Sequence, residues 1–172
     1  RQALIEQGES YMELVRGGNE SEFARVKVYG DGKFRFASRE EFCEAMGADP
    51  AKPIVAIMGN CWPDFPNALG RSYMTDHVDW FDRTLAVARE TDDFNWIFKP
   101  HPAEEMYGRK TTLNKLIHDR LGHRLGKGIY LWPESATGAD VLACADCAVT
   151  AIGSIGFEYP AVGARALVAR QS

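Results

Sequence analysis

Short apolar runs alternate with amphipathic stretches along most of this chain. Ile54-Val-Ala-Ile-Met58 follows Pro53, has the length of a strand and is closed by Gly59. Phe94-Asn-Trp-Ile-Phe98, Ile129-Tyr-Leu131, Cys147-Ala-Val-Thr-Ala151 and Ala166-Leu-Val-Ala169 are of the same type. Between them the period changes from two to 3.6. Asp76 to Glu90 places Val78, Phe81, Leu85 and Ala88 on one helical face, and Thr111 to Leu125 repeats the spacing at Leu113, Leu116, Ile117 and Leu121. Ser38-Arg-Glu-Glu41 is a capping box that starts a short helix to Met46, ended by Gly47. Gly138 to Cys144 and a stretch from Ser154 to near Gly163 predict two further helices. Pro160 gives the last one two readings: a regular helix that begins only near Tyr159, or a helix with a bend built in.

Five strands that alternate with helices, with little polar alternation inside each, predict a parallel sheet covered on both faces. The fold class is therefore α/β, doubly wound, in three layers. Residues 1–37 read differently: Leu4, Ile5, Tyr11, Met12, Leu14 and Val15 form a broken helical pattern before Gly17-Gly18, and Gly30-Asp-Gly32 marks a turn. They are expected to be a linker or helical extension from a missing N-terminal region, and residues 38–172 the domain proper. The first residue is Arg1, and the chain stops soon after its fifth strand. A piece of a longer protein, shortened at its C-terminus, is the expectation.

Composition narrows the function classes. A chain of 172 residues can bury a core without disulfide or metal staples. With 20 Lys plus Arg against 24 Asp plus Glu, and no clustered basic stripe, nucleic acid is not an expected partner. No apolar run approaches the roughly 18 residues of a membrane span, and the first nine residues lack the apolar stretch of a secretory signal. Of the cysteines Cys43, Cys61, Cys144 and Cys147, only the last two have CxxC spacing, which is half a zinc site without a second pair. Core thiols in a reducing cytoplasm, and no metal, are expected.

In open parallel sheets ligands sit beyond the carboxyl ends of the strands. That rule selects the loops Gly59-Asn-Cys-Trp-Pro-Asp-Phe-Pro-Asn-Ala-Leu-Gly70, Lys99-Pro-His-Pro-Ala-Glu-Glu105 and Ile152-Gly-Ser-Ile-Gly-Phe-Glu158. In the third, Gly153 and Ser154 let a phosphate approach backbone amides at a helix start, and Ser154 can add a hydroxyl; the alternative is that Ser154 is only an N-cap. Glu158 stands one turn on, suited to a ribose diol. In the second, Pro100 and Pro102 stiffen the backbone around Lys99 and His101, which suits a phosphate contact or acid/base work. Glu104 and Glu105 read as a solvated helix start, one of which could reach back to His101 or Lys99. In the first, Asp64 is a candidate base or acceptor-sugar contact, or a turn former between prolines.

Trp96-Ile-Phe-Lys-Pro-His-Pro-Ala-Glu104, followed by Ala145-Asp-Cys-Ala-Val-Thr-Ala-Ile-Gly-Ser-Ile-Gly-Phe-Glu158, resembles the second half of a bacterial surface-polysaccharide glycosyltransferase of the capsule-synthesis kind. More distantly it is similar to bacterial sialyltransferases and teichoic-acid glycerophosphotransferases. The resemblance covers about Ser38 to Ala169, with Trp62-Pro-Asp64 and Asp79-Trp80 adding to it. It implies the Rossmann-like, C-terminal half of a GT-B fold that binds a nucleotide-activated sugar, with a cytidine or uridine nucleotide and no cofactor. His101 and Pro102 match one phosphate-binding motif and Ser154 the other, where Gly153 replaces a second Ser of some branches; Lys99, Ile155 and Gly156 complete the implied set. Glu158 matches the acidic residue that contacts the donor ribose or sugar. Gly163-Ala-Arg-Ala-Leu-Val departs from the frequent Gly-Lys-Pro-hydrophobic pattern. His101 and Asp64 are the implied catalytic candidates, although in such enzymes the acceptor-activating base generally comes from the N-terminal domain. A glycan or lipid-linked acceptor and a cytoplasmic location, at the inner membrane face in the full-length protein, follow from the resemblance. A sugar-nucleotide epimerase and a non-catalytic nucleotide-binding module are the alternative readings.

Overall fold

The computed structural model describes residues 35–60, 74–101, 104, 112–133, 138–161 and 163–169. They form α1 (Arg39–Met46), β1 (Ile54–Met58), α2 (His77–Glu90), β2 (Asn95–Lys99), α3 (Leu113–Leu121), β3 (Ile129–Leu131), α4 (Gly138–Cys144), β4 (Cys147–Thr150), α5 (Ile155–Ala161) and β5 (Arg165–Val168). The strands make one five-stranded sheet in the order β3-β2-β1-β4-β5, every pair parallel. This is the expected doubly wound α/β fold. β1 lies at the centre, with Val55 to Met58 in register with Trp96 to Lys99 on one side and Cys147 to Thr150 on the other.

Alternate residues of the central strands feed two apolar layers, as the pleat requires. Val55, Ile57, Trp96 and Phe98 pack against Trp80, Phe81 and Leu85 of α2 and Leu113, Leu116 and Ile117 of α3. Ile54 and Ile97 point the other way, to Phe42 and Cys43 of α1 and Cys144 of α4. Ala56 and Ala148 complete that face against Val141 and Tyr159. Removing a buried ring such as Phe98 costs about 3–5 kcal/mol in cores of this kind. Phe36 packs edge-on against Phe42, and its N–H and that of Arg35 donate to the Asp140 carboxylate at 3.3 and 2.8 Å. The chain is thus tied to the domain from Arg35 onward.

Local signals set the element ends. The Ser38 hydroxyl accepts from Glu41 N–H, while Glu41 reaches back to the N–H of Ala37 rather than of the cap itself; Gly47 closes the helix at φ 68°. Asp76 caps α2 by accepting from Val78 and Asp79 N–H. On α2 it is Trp80 that enters the core, whereas Val78 stays half-buried at the margin of the predicted face. α3 ends at Leu121 rather than Leu125, because Gly122 leaves the helix at φ 71°; Leu125 packs against the core from the loop. β2 begins at Asn95, whose buried side chain donates to the Asp49 carbonyl at 2.6 Å. α5 starts at Ile155 and contains Pro160 near its end, so the late start at Tyr159 is not adopted. Residues 1–34, including the expected linker turn, and Cys61 lie outside the described residues.

Candidate functional site

The strand order reverses between β1 and β4, so the crevice beyond their carboxyl ends is the switch point of this sheet. The loops after β1, β2 and β4 meet there. Gly59 N–H donates to the Lys99 carbonyl at 2.8 Å, which draws the β1 exit against the β2 exit. A Cβ on Gly59 would stand 2.9 Å from the Lys99 carbonyl oxygen and 3.1 Å from His101 N, so only glycine permits this approach. On the other side Asn60 Oδ1 accepts from Ile152 N–H at 3.3 Å and from the Thr150 hydroxyl at 3.4 Å. Asn60 is buried, and its Nδ2 has no hydrogen-bond partner among the described residues.

Lys99 closes β2 and is half-buried, with Nζ 5.7 Å from the centroid of the Trp132 ring. Burial lowers its pKa to about 8, and the carboxylate of Glu104 acts against that shift. Glu104 is 3% exposed, and both its oxygens accept from Leu113 N–H, at 3.1 and 3.3 Å. It is therefore not the solvated helix start that the sequence suggests. It is a buried acid that serves the first turn of α3 and keeps a proton on Lys99. Its own N–H donates to the His101 carbonyl at 2.9 Å, closing a turn that fixes the His101 backbone. His101 is half-buried.

After β4, Gly153 adopts φ 142°, a conformation that side-chain-bearing residues rarely take. Ser154 is exposed, and its carbonyl accepts the Phe157 and Glu158 N–H groups at 2.9 Å. It is the last residue before α5, at the N-cap position. Ile155, Gly156 and Glu158 are half-buried in the first turn of that helix. Gly156 has a packing reason of its own: a Cβ there would meet Val168 Cγ2 at 2.7 Å, so α5 lies close on β5 only because Gly156 is bare.

Lys99 and His101 on one flank and Gly153 and Ser154 on the other are thus brought to either side of the β1 exit. Two strand spacings separate them, about 10 Å. Asp64 and Pro102 lie outside the described residues. Asn60, Glu104 and Trp132 were not singled out as binding residues by sequence reasoning. Trp132 carried a weak signal, an aromatic just beyond the carboxyl end of a strand. Glu104 carried the signal of an acid that could reach back to Lys99 or His101, but not its burial, since its partner Leu113 is nine residues away with no periodic link.

Two other features lie apart from this crevice. A cavity of about 260 Å³ near the amino end of β3 is lined by Arg89, Arg120, Arg124 and Lys127 among apolar residues. Arg89 and Arg120 sit in the last turns of α2 and α3, where cations complement the helix dipole, and Arg120 and Lys127 pair with Asp82 and Asp92. Cys43 and Cys144 are buried and Cys147 half-buried; burial, with Asp140 nearby, raises the Cys144 thiol to about 11. Such thiols are poor nucleophiles at neutral pH. Among the described residues no three His, Cys, Asp or Glu side chains cluster as metal ligands, and no helix is long and apolar enough to cross a membrane. No protein-family model and no curated protein matches this chain.

Proposed function

We propose that this domain binds the diphosphate of a nucleotide-activated donor at the switch point, as the donor half of a surface-polysaccharide glycosyltransferase or glycerophosphotransferase. The observation that supports this most is the strand order, which puts the Lys-Pro-His and Gly-Ser segments on either side of one crevice. Those are the two segments on which the sequence resemblance rests.

In sugar transfer an acceptor hydroxyl, losing its proton to a base, attacks the anomeric carbon and the C–O bond to the nucleotide phosphate breaks; in glycerophosphate transfer it attacks the distal phosphorus and the P–O bond to the nucleoside monophosphate breaks. Negative charge grows on the departing phosphate. Fixed donors stabilise that charge best when they need no reorganisation, and Lys99, His101 and the Ser154 hydroxyl are such donors; the N–H groups of Gly156, Phe157 and Glu158 are already taken by the Gly153 and Ser154 carbonyls. Gly59 and the turn closed by Glu104 hold two of them in place. Glu158 is the candidate for the donor ribose or sugar. The base that activates the acceptor belongs, in the resembling enzymes, to the companion domain. Donor binding is accordingly the property assigned to this chain, with CDP and UDP as the probes.

The test is calorimetric titration of both nucleotides into the wild-type chain and into His101→Ala. Loss of one charged or hydrogen-bonding phosphate contact is expected to weaken binding about tenfold, with the melting midpoint little changed. Equal affinity in the two proteins, or a fall in stability that accounts for the fall in binding, would contradict the reading.

A further inference from the structure

We propose that Asn60 is a ligand-binding residue of this crevice, whose carboxamide Nδ2 donates to a phosphate oxygen of the bound nucleotide. The proposal rests on the nucleotide reading above and adds to it a contact made from the centre of the site.

The orientation of the carboxamide follows from its neighbours. The Ile152 N–H can only donate, so the atom that faces it at 3.3 Å must be the oxygen Oδ1. The Thr150 hydroxyl has one proton and lies 2.8 Å from the Ile152 carbonyl but 3.4 Å from Asn60 Oδ1, so its stronger bond goes to the carbonyl. Rotating the amide would set Nδ2 against the Ile152 N–H and exchange that bond for a longer contact to the Thr150 hydroxyl oxygen at 3.4 Å. Nδ2 is thereby left over, on a side chain only 5% exposed, with no hydrogen-bond partner among the described residues.

Buried donors are normally satisfied, and one that is not calls for a partner. The other buried side-chain atoms in that condition are Asn95 Oδ1, Asn114 Oδ1 and the Tyr159 hydroxyl. Asn95 opens β2 at the amino end of the sheet, Asn114 lies in the first turn of α3, and Tyr159 is packed among core residues. Asn60 alone among these four stands at the exit of the central strand, between the Lys99 flank and the Gly153-Ser154 flank. An N–H without an acceptor, at the same end of the sheet as the Lys99 ammonium, suits an anionic oxygen rather than a metal or a cationic group.

The identity of the residue agrees. Oδ1 makes the contact that staples β1 to β4, and Nδ2 is the atom left for a ligand; a neutral carboxamide also suits a buried position better than a carboxylate.

Asn60→Asp separates the two roles, because it retains an oxygen for the Ile152 N–H and loses the donor. The expected result is nucleotide affinity reduced about tenfold or more for CDP and UDP, with a melting curve that still shows a folded domain. A measurement on the unaltered chain removes any dependence on the variant: the Asn60 side-chain NH2 signals should shift on adding CDP and also on adding inorganic pyrophosphate. Wild-type affinity in Asn60→Asp, or Asn60 NH2 signals that stay in place while the Lys99 and Gly153 amides move, would overturn the inference and leave the nucleotide reading standing. A shift given by cytidine but not by pyrophosphate would overturn the phosphate assignment. No binding of either nucleotide to the wild-type chain would remove both.

Discussion

At the scale of single residues, Lys99 holds a charge that its surroundings oppose. Its pKa falls from an ordinary 10.5 to about 8 because burial disfavours the ammonium. The unfolded chain therefore binds this proton more tightly, and the cost to stability is fully present below about pH 8 and is relieved as the pH rises toward 10.5. A protein that keeps such a lysine at neutral pH gains from its charge elsewhere, and phosphate binding is the gain assigned here. Nucleotide affinity should accordingly fall as the pH passes about 8. Glu104→Gln should move that fall to lower pH, since it removes the carboxylate that favours protonation. Gln can still accept from Leu113 N–H, so the melting midpoint should hold. Titrations of CDP from roughly two pH units below to roughly two above the Lys99 value of about 8 check this by the displacement between the two curves. Coincident curves would show that Glu104 serves only the helix. Lys99 and His101 could be singled out in the sequence because they follow an apolar run and are flanked by prolines. Glu104 stood out only as one of two acids able to reach back to Lys99 or His101; its burial and the role of Asn60 rest on partners distant along the chain, Asn60 contacting Ile152, 92 positions away.

At the scale of elements, glycines decide how closely the exits and the last helix approach the sheet. Gly156→Ala would place a methyl group 2.7 Å from Val168 Cγ2. Overpacking of this kind costs about 1–3 kcal/mol, and trimming the neighbour with Val168→Ala should restore most of it. Denaturant midpoints of the two single variants and the double variant measure the coupling; additive losses would contradict the packing account. The elements themselves were largely legible from the order of residues. β1 and β2 announced themselves because both their faces are buried and apolar, whereas β5 at the edge is largely exposed, and α1 because its cap and its closing glycine lie within the sequence window that makes them. Element ends were less legible where periodicity outran the backbone. Leu125 continues the spacing of α3 but packs from a loop, since Gly122 takes a left-handed conformation first. Pro160 was ambiguous for a similar reason: in a helix of seven residues it falls near the end, where few backbone bonds remain to be lost.

At the scale of the whole molecule, the strand order carries the functional account. Which strands adjoin is settled by pairings such as Val55 with Cys147, far apart in sequence, so no local pattern could have supplied the order β3-β2-β1-β4-β5. Given that order, three loops chosen for their place after strands become one crevice, with β1 in the middle and a phosphate-type donor set on both flanks. A cavity of about 260 Å³, by contrast, lies toward the amino end of β3, where paired cations complement helix ends. The central claim is that nucleotide phosphate binds at the switch point. Amide signals followed while CDP, CMP or UDP is added to the chain test it most directly. The account predicts shifts concentrated in Lys99 to His101 and Gly153 to Glu158, together with Asn60. Shifts confined to the arginines of the β3 cavity or to residues before Phe36, or none at millimolar nucleotide, on the order of the weakest affinity worth assigning, would contradict it.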